Sequence, residues 1–323
     1  MNATLERWLA GLNSLVTSTP AQNETWTTRK LLAWMQQAFF KANLDSPRLL
    51  AEQMLAHSFG CERLKLYTEP DRPATQLERQ NLRDMVARAL KHEPIQYLVG
   101  EAWFFGMPFH VDRRVLIPRP CTQTIVEHVL QHARATHGTS NQRGTGITIA
   151  DVCTGSGAIA IALLKRLPEA RGVASDISRD ALDVAEKNAR RHEVADRLDV
   201  LEGNLLAPLF AHSTAGKHGS LDYFVSNPPY IPDHEWDTVE PNVKEHEPHL
   251  ALRGGKDGLD LVRPLFADAP TLLKPGGLIL IEVPAAHAKD ALAIAAKNPL
   301  LTGTQVLRDC DGLDRIIVGT CVS

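Results

Sequence analysis

The fold is indicated by one stretch of sequence, Ile147-Thr-Ile-Ala-Asp151-Val-Cys-Thr-Gly155-Ser-Gly157. It opens with a short apolar run of the kind that forms a buried strand. The two glycines follow, and an apolar helical stretch, residues 158–167, comes directly after them. Such a turn brings unpaired backbone N–H groups and the positive end of the helix dipole to one point, and glycine lets a ligand approach the backbone closely. The stretch therefore predicts a binding turn for an anionic or carboxylate-bearing ligand.

The next predicted strand indicates a nucleoside ligand. It ends at Asp176, nineteen residues after Gly157, where a carboxylate can accept hydrogen bonds from a ribose diol. The turn lacks the third glycine of the dinucleotide fingerprint, and Asp151 suits a cationic amino-acid group better than a pyrophosphate. Ser178 is the expected cap of the following helix, which would leave Asp176 available to the ligand. We therefore expect S-adenosylmethionine rather than a nicotinamide cofactor.

Short apolar runs alternate with helical stretches from residue 123 onward. This alternation predicts an α/β domain built on a parallel sheet. Polar segments at 136–146 and 211–220 are predicted surface loops, and no internal repeat is present. The predicted strands cover residues 147–152, 172–175, 198–201, 223–226, 278–283 and 315–319.

The residues before this domain have a different pattern. Thr27 is positioned to cap a helix, Pro47 stands early in a second, and residues 79–90 form a third helical stretch. Aromatic and β-branched residues from Ile95 to Ile117 then predict a hairpin whose turn is Gly106-Met107-Pro108. The predicted organisation is an amphipathic segment and linker at 1–23, a helical domain suited to protein contact at 24–95, a hairpin linker at 96–120 and the α/β cofactor domain at 121–323.

Composition narrows the class of protein. The chain has 323 residues, 44% hydrophobic and 23% charged, as in folded globular proteins. Its 35 basic and 38 acidic residues give a net charge of −3, which argues against a protein that binds nucleic acid through its phosphates. The five cysteines lack CxxC spacing, and no run is apolar enough to span a membrane. We expect a cytoplasmic protein with reduced thiols and no membrane partner.

The motif Asn227-Pro228-Pro229-Tyr230 follows the fourth predicted strand. In open α/β sheets this is the edge at which ligands bind. An amide nitrogen is a poor nucleophile because its lone pair is delocalised, so a transferase must orient its N–H bonds. The Asn227 side chain and the Pro228 carbonyl offer two acceptors, and Tyr230 offers an aromatic wall.

With this motif in place, the chain resembles the glutamine N5-methyltransferases of peptide chain release factors, the HemK type. The similarity extends over most of the chain. Besides the Asn-Pro-Pro-Tyr motif it rests on Leu44-Asp-Ser-Pro-Arg-Leu49, Ala51-Glu-Gln-Met-Leu-Ala-His57, Glu93-Pro-Ile-Gln-Tyr-Leu-Val-Gly100, Phe105-Gly106, Leu116-Ile-Pro-Arg-Pro120, His246-Glu-Pro-His-Leu-Ala-Leu252, Gly255-Lys-Asp-Gly-Leu-Asp260 and Asp311-Gly-Leu-Asp-Arg315.

The resemblance implies a class I S-adenosylmethionine-dependent methyltransferase fold, Rossmann-like, with a mostly parallel seven-stranded sheet, a small N-terminal helical domain and a linking hairpin. It implies that class 1 release factors are methylated on the glutamine of their Gly-Gly-Gln motif in translation termination, with S-adenosylhomocysteine as the second product. The residues expected at the cofactor are Asp151, Cys153, Thr154, Gly155, Ser156, Gly157, Asp176, Asn204, Leu205 and Asn227. Those expected at the substrate are Asn227, Pro228, Pro229, Tyr230, Glu247 and Arg119; of these, Asn227, Pro228 and Tyr230 are the expected catalytic residues.

Four positions depart from the pattern of the resembled family. Cys153 stands where glycine is usual, which predicts that the turn needs no glycine-only backbone angle there. Asn204 replaces an aspartate and would accept a hydrogen bond from the adenine amine more weakly. Cys121 and Gln123 replace acidic residues after the Pro-Arg-Pro segment.

Other functions stay open at this point. A methyltransferase acting on a ribosomal protein is the nearest, followed by a DNA adenine-N6 methyltransferase, a non-catalytic protein that binds release factor or ribosome, and an NAD-dependent oxidoreductase. His234, His246 and His249 lie near acidic residues, but their spacing matches no ligand set and we expect no metal. The hairpin aromatics Trp103, Phe104, Phe105 and Phe109 are expected mainly in the core, with a substrate-facing patch as the alternative.

Overall fold

The computed structural model describes residues 25–137 and 146–322, and the chain divides into two compact units. The predicted segment 1–23 and most of the predicted loop at 136–146 lie outside the described residues. Of the described residues, one unit contains 25–100 together with 241–246. Its described helices are α1 (Thr28–Lys41), α2 (Pro47–Phe59), α3 (Lys65–Thr68), α4 (Gln76–Ala89), α5 (Ile95–Val99) and α10 (Pro241–Lys244).

Apolar residues three or four positions apart hold this helical unit together. Leu31, Met35 and Phe39 of α1 are fully buried in one cluster with residues of α2 and α4. Thr27 is the N-terminal neighbour of α1 as predicted, but its side chain makes no capping hydrogen bond. By contrast, Thr75 forms a reciprocal capping box with Glu78 at the start of α4.

The prediction of a hairpin from residue 95 is wrong for its first residues. Helix α5 occupies this stretch, because Pro94 suits a helix start and Gly100, with φ +70°, ends the helix in the left-handed region. The observed hairpin pairs β1 (Glu101–Phe104) with β2 (Met107–His110). Its turn is Phe105-Gly106, so Met107 and Pro108 belong to the second strand rather than to the turn.

The hairpin aromatics divide between the core and the surface. Phe104 and Phe109 are buried and their rings meet edge to face at 6.1 Å, which agrees with the core interpretation. Trp103 points outward with 64% of its surface exposed. Asn188 fastens the hairpin, since its side chain accepts from the His110 N–H and donates to the His110 carbonyl.

The second unit is built on a seven-stranded sheet, counted over its described residues. The order is β5-β4-β3-β6-β7-β9-β8, and only the pairings of β9 are antiparallel. Strand β8 was not predicted, because it is a half-exposed edge strand with polar residues at Thr302 and Gln305. The strands are β3 (Thr148–Val152), β4 (Arg171–Asp176), β5 (Leu198–Glu202), β6 (Leu221–Ser226), β7 (Leu273–Glu282), β8 (Leu301–Arg308) and β9 (Asp314–Cys321).

Helices cover both faces of the sheet. One apolar cluster includes Ile125 and Ile161 with the hairpin aromatics, and the other includes Leu265 and Phe266. Burial on both faces explains why the parallel strands are nearly continuous apolar runs. The helices are α6 (Gln123–His137), α7 (Ala158–Arg166), α8 (Arg179–Arg191), α9 (Ala207–Ala211), α11 (Val262–Asp268) and α12 (Ala288–Ala296).

The strand order places the predicted binding residues at one edge. Strand β3 lies between β4 and β6, so the chain changes direction across the sheet at β3. Ligands of open α/β sheets bind at such a switch point, beyond the carboxyl ends of the strands. Asp176 ends β4, Asn227 directly follows β6, and Glu282 ends β7. In the described part of the chain, no helix has both the length and the apolar character needed to cross a membrane.

Candidate active site

Asp151 stabilises the glycine-rich turn through hydrogen bonds to its side chain. Its Oδ2 accepts hydrogen bonds from the Thr154 hydroxyl at 2.7 Å and from the Ala160 N–H, in the first turn of α7, at 3.1 Å. The side chain is fully buried, and its Oδ1 has no hydrogen-bond partner among the described residues. Burial raises the pKa of Asp151 to about 7. Asp151 thus stabilises the turn through Oδ2, and because Oδ1 has no partner among the described residues, its contact with a cationic ligand group stays a prediction.

The backbone of the turn corrects the expectation for Cys153. Its φ is +61°, in the left-handed region that glycine adopts most easily, so the cysteine occupies a conformation that suits the glycine usual in the resembled family. Gly155 and Gly157 have φ values of +54° and +80°. A Cβ at Gly157 would lie 2.8 Å from Ile161 Cδ1, whereas a Cβ at Gly155 would have no neighbour within 4 Å. A side chain at Gly157 would therefore meet both a left-handed backbone and close neighbours, whereas Gly155 adjoins open space.

Asp176 has partners on both sides. Its Oδ2 accepts from the Gly155 N–H at 2.9 Å and its Oδ1 from the Ser178 N–H at 3.0 Å. Ser178 caps α8 as predicted, because its hydroxyl accepts from the Ala181 N–H at 3.2 Å. The expectation that Asp176 stays free is therefore wrong in part, although a carboxylate accepts up to about four hydrogen bonds and not all of its positions are taken. Burial raises the pKa of Asp176.

The remaining predicted cofactor residues lie around Asp176. The Gly203 N–H donates to the Asp176 carbonyl at 3.0 Å, which brings the segment after β5 to the same edge. Asn204 is exposed there, and Leu205 adopts a left-handed backbone with φ +47°. Ser156 is buried in the turn, and its carbonyl accepts from the Asn188 side chain at 2.9 Å.

The Asn227 side chain is held on one side only. Its Nδ2 donates to the Thr122 hydroxyl at 3.2 Å, while its Oδ1 has no hydrogen-bond partner among the described residues. Ser226, the last residue of β6, donates to the Val152 carbonyl at 2.6 Å and so fixes the end of β6 to the end of β3. This bond keeps Asn227 beside the glycine-rich turn. The Asn227 oxygen is therefore an available acceptor at the ligand edge.

A buried carboxylate that the sequence did not predict lies behind the motif. Glu282 accepts from the Thr122 hydroxyl at 2.6 Å, from the Tyr230 hydroxyl at 3.3 Å and from the Cys121 thiol at 3.7 Å. Burial raises the pKa of Glu282, and burial beside Glu282 raises that of Cys121 to about 12. The sequence feature that indicates this buried carboxylate is a glutamate at the end of an otherwise apolar predicted strand.

Glycines pack closely against the loop that carries the Asn-Pro-Pro-Tyr motif. The Ile231 N–H donates to the Leu252 carbonyl at 2.8 Å, and the Gly254 N–H donates to the Ile231 carbonyl at 2.9 Å. A Cβ at Gly254 would lie 2.6 Å from Tyr230 Cα, and one at Gly258 would collide with the Tyr230 carbonyl. This close approach of two backbone segments requires glycine. Gly254 and Gly258 therefore hold this loop in place.

The two further predicted substrate residues contact each other. Arg119 Nη2 donates to Glu247 Oε1 at 2.5 Å, and the buried Glu247 also accepts from the Ile117 N–H at 3.1 Å. The histidines considered for a metal do not converge: among the described residues, no group of three potential ligands is assembled. His249 instead packs its ring edge to face on Trp236 at 4.8 Å.

Comparison with known proteins is consistent with this geometry. Residues 30–100 match the PrmC N-terminal domain, and residues 137–256 match the methyltransferase small domain. The catalytic domain of hMettl16, solved in complex with the MAT2A 3'UTR hairpin 6, superposes with a TM-score of 0.50 at 16% identity, covering 74% of this chain and 82% of that one. This structural likeness concerns the fold.

Sequence similarity identifies the family. The release factor glutamine methyltransferase of Chlorobaculum tepidum is 39% identical over 294 residues, covering 91% of this chain and 97% of that protein. That of Geobacter sulfurreducens is 36% identical over 296 residues, covering 92% and 97%. The open space beside Gly155, the remaining acceptor positions of Asp176 and the exposed amide of Asn204 fit a nucleoside-bearing methyl donor. This chain, with its class I fold and its use of S-adenosylmethionine, belongs to the release factor glutamine methyltransferase family.

Proposed function

We propose that this protein methylates N5 of the glutamine in the Gly-Gly-Gln motif of class 1 peptide chain release factors, and thereby acts in translation termination. The observation that carries the proposal is the Asn227 side chain, whose nitrogen is engaged by Thr122 and whose oxygen is available beside the cofactor turn. A primary amide has two N–H donors and needs two acceptors. Asn227 Oδ1 and the adjacent Pro228 carbonyl supply them.

These acceptors act on a weak nucleophile. The lone pair of an amide nitrogen is delocalised into its carbonyl, so fixing both N–H bonds aims the remaining lobe at the methyl group. S-adenosylmethionine supplies an activated methyl group when bound. The Tyr230 ring forms one wall of the site, and its hydroxyl is held by Glu282. Hydrogen bonding rather than a general base therefore prepares the nitrogen.

The proton balance requires no base before transfer. As the new C–N bond forms and the S–CH₃ bond breaks, the nitrogen becomes positively charged and its N–H bonds become acidic. One proton then leaves to water or through one of the acceptors, and S-adenosylhomocysteine is released. Acceptors placed on both N–H bonds stabilise this developing positive charge, and electrostatic stabilisation of this kind is usually the largest contribution to catalysis.

We assign the cofactor contacts to the turn Cys153–Gly157 with Thr154, Gly155 and Ser156, to Asp176, and to the segment Asn204-Leu205. Asp176 would receive the ribose hydroxyls at its remaining acceptor positions, and Asn204 would accept from the adenine amine. Asp151 would stabilise the turn through its hydrogen bonds, because its side chain is fully buried there. A cofactor held by these residues would supply its methyl group to a substrate amide bound at Asn227.

The substrate contacts would come from the Asn-Pro-Pro-Tyr motif, and neighbouring residues would hold the motif in place. Pro229 and Tyr230 would line the glutamine pocket, and the Arg119–Glu247 pair would hold the surrounding segments. The helical unit would add contacts to the release factor, and it exposes the large apolar side chains of Phe40 and Leu64. A substrate that works on the ribosome places the enzyme in the cytoplasm, and the net charge of −3 supports a protein substrate over nucleic acid.

A transfer assay with a radiolabelled methyl group tests the proposal. Purified release factor, a release factor whose motif glutamine is replaced by asparagine, ribosomal proteins and DNA would each be incubated with the enzyme. We expect incorporation into the first substrate alone. Incorporation into a ribosomal protein or into DNA would redirect the assignment, and cofactor binding without transfer to any substrate would favour a binding protein. Binding of NAD but not of S-adenosylmethionine would revive the oxidoreductase.

A further inference from the structure

We infer that Thr122 and Glu282 are positioning residues that set the orientation of the Asn227 amide, so that its oxygen and not its nitrogen faces the substrate. The inference rests on the proposed function, in which Asn227 accepts an N–H of the substrate amide. Neither residue belongs to the Asn-Pro-Pro-Tyr motif. They reach it from elsewhere in the chain: Thr122 precedes α6, and Glu282 ends β7.

The argument starts from the proton of the Thr122 hydroxyl. A hydroxyl has one proton to donate and two lone pairs to accept with. Thr122 Oγ1 lies 2.6 Å from Glu282 Oε2. An ionised carboxylate accepts only, so with Glu282 ionised the Thr122 proton is directed to Glu282. The lone pairs of Thr122 are then left for its other neighbour. That neighbour is the Asn227 side chain at 3.2 Å, which must present its NH₂ group.

The surroundings of Glu282 keep this polarity fixed. The Tyr230 hydroxyl and the Cys121 thiol also donate to the carboxylate, both to Oε1. Glu282 is fully buried, so water does not compete for these bonds. With Glu282 ionised, each of these neighbours is a donor to it, and the hydrogen-bond series from Asn227 through Thr122 to Glu282 has a single direction.

The direction matters because an amide can rotate by half a turn without changing its shape. In the reversed orientation the Asn227 NH₂ group would face the NH₂ group of a substrate glutamine, and two donors would meet without an acceptor. The observed orientation leaves Oδ1 as the acceptor that the transfer needs. Thr122 and Glu282 thus act through Asn227 and need no contact with the substrate.

Kinetics of two substitutions at one position test the inference. Thr122→Val keeps the shape and removes the hydroxyl, whereas Thr122→Ser keeps the hydroxyl. We expect Thr122→Val to lower kcat about tenfold or more, with the Kd for S-adenosylmethionine within about twofold of wild type, and Thr122→Ser to restore most of the loss. Thr302→Val, on the exposed part of edge strand β8, is the matched control. Should Thr122→Val unfold, Thr122→Ala removes the same hydroxyl.

A double-mutant cycle separates positioning from simple support of the fold. If Thr122 acts through the Asn227 amide, Thr122→Val has no further effect on kcat once Asn227 is replaced by alanine. Additive losses would overturn the inference, because they would mean that Thr122 affects the reaction independently of Asn227. Equal kcat values for Thr122→Val and wild type would overturn it as well.

A measurement without substrate keeps this inference separate from the proposed function. In protein labelled with ¹⁵N at asparagine, the Asn227 side-chain signals are identified by their loss in Asn227→Ala. We expect Thr122→Val to shift these signals and Thr122→Ser to leave them nearly in place. Unchanged signals in Thr122→Val would refute the hydrogen bond and the inference with it, whereas a wild-type enzyme that fails to methylate release factor would refute only the proposed substrate.

Discussion

Arg119 Nη2 lies 2.5 Å from Glu247 Oε1, although the two residues are 128 positions apart in the chain. Glu247 is almost fully buried, and its second oxygen accepts a hydrogen bond from the Ile117 N–H. One carboxylate therefore joins the segment before α6, which contains Thr122, to the segment that follows the substrate loop. The pair thereby holds two segments that flank the Asn-Pro-Pro-Tyr loop in sequence.

Removing the Glu247 carboxylate should destabilise the protein. Glu247→Ala leaves the Ile117 N–H without its acceptor and Arg119 without its partner, which should lower the free energy of unfolding by about 2–4 kcal/mol. Glu247→Gln retains an acceptor and should cost about half as much. Urea denaturation of both variants measures the difference. Equal stability of Glu247→Ala and wild type would contradict this account of the pair.

The two turn glycines should respond differently to alanine. Gly157→Ala places a methyl group against Ile161 and Ala185, so we expect a loss of about 2–3 kcal/mol of stability. Gly155→Ala meets no protein atom within 4 Å and should cost only about 1–2 kcal/mol of backbone strain. Its methyl group would project into the proposed cofactor space.

Calorimetry with S-adenosylmethionine distinguishes the two effects. We expect Gly155→Ala to weaken binding at least about tenfold, a change of about 1.4 kcal/mol, while the folded protein remains intact. Unchanged affinity in Gly155→Ala would remove Gly155 from the cofactor site.

Asp151 should make the stability of the cofactor-free protein depend on pH. Its pKa is raised to about 7 in the folded state, against about 3.9 in an unfolded chain. The folded state then binds more protons between these values, so the free energy of unfolding falls as pH rises from about 4 to 7. Asp151→Asn cannot titrate, and its stability relative to wild type should increase by about 2–3 kcal/mol between pH 5 and pH 8. Parallel pH curves from denaturation of both proteins would argue against the raised pKa.

Gly254 tests the close packing against the substrate loop. A methyl group there would lie 2.6 Å from Tyr230 Cα and 2.8 Å from the Pro229 carbonyl oxygen, and backbone atoms must move to accept it. We expect Gly254→Ala to lower kcat about a hundredfold, with little change in the affinity for S-adenosylmethionine. Gly303→Ala, which meets no atom within 4 Å, is the control. Full activity of Gly254→Ala would show that the loop position is unimportant.

The parallel strands of the sheet are predictable from the sequence, whereas the edge strand β8 is not. Strands such as β3 and β6 are apolar runs because helices cover both of their faces, and that pattern is visible in the sequence. Strand β8 has one exposed face, so Thr302 and Gln305 interrupt its apolar pattern. Helix α5 was misassigned because its five residues are too few to display a helical period.

The site was predictable where it is local in sequence. The glycine-rich turn, Asp176 and the motif at Asn227 each follow a predicted strand, and strand order brings them together. The partnership of Thr122 with Glu282 spans 160 residues and has no sequence signature. The burial of Asp151 and the left-handed backbone of Cys153 likewise depend on tertiary packing rather than on residue type.

Peptide mass spectrometry of release factor tests the central claim most directly. Unmethylated release factor would be incubated with S-adenosylmethionine and either wild-type enzyme or Asn227→Ala, digested, and sequenced by fragmentation. We expect a single mass increase of about 14 Da, one methyl group, on the glutamine of the Gly-Gly-Gln motif with wild type, and none with a folded Asn227→Ala variant. A methyl group on any other residue, or equal methylation by Asn227→Ala, would contradict the account.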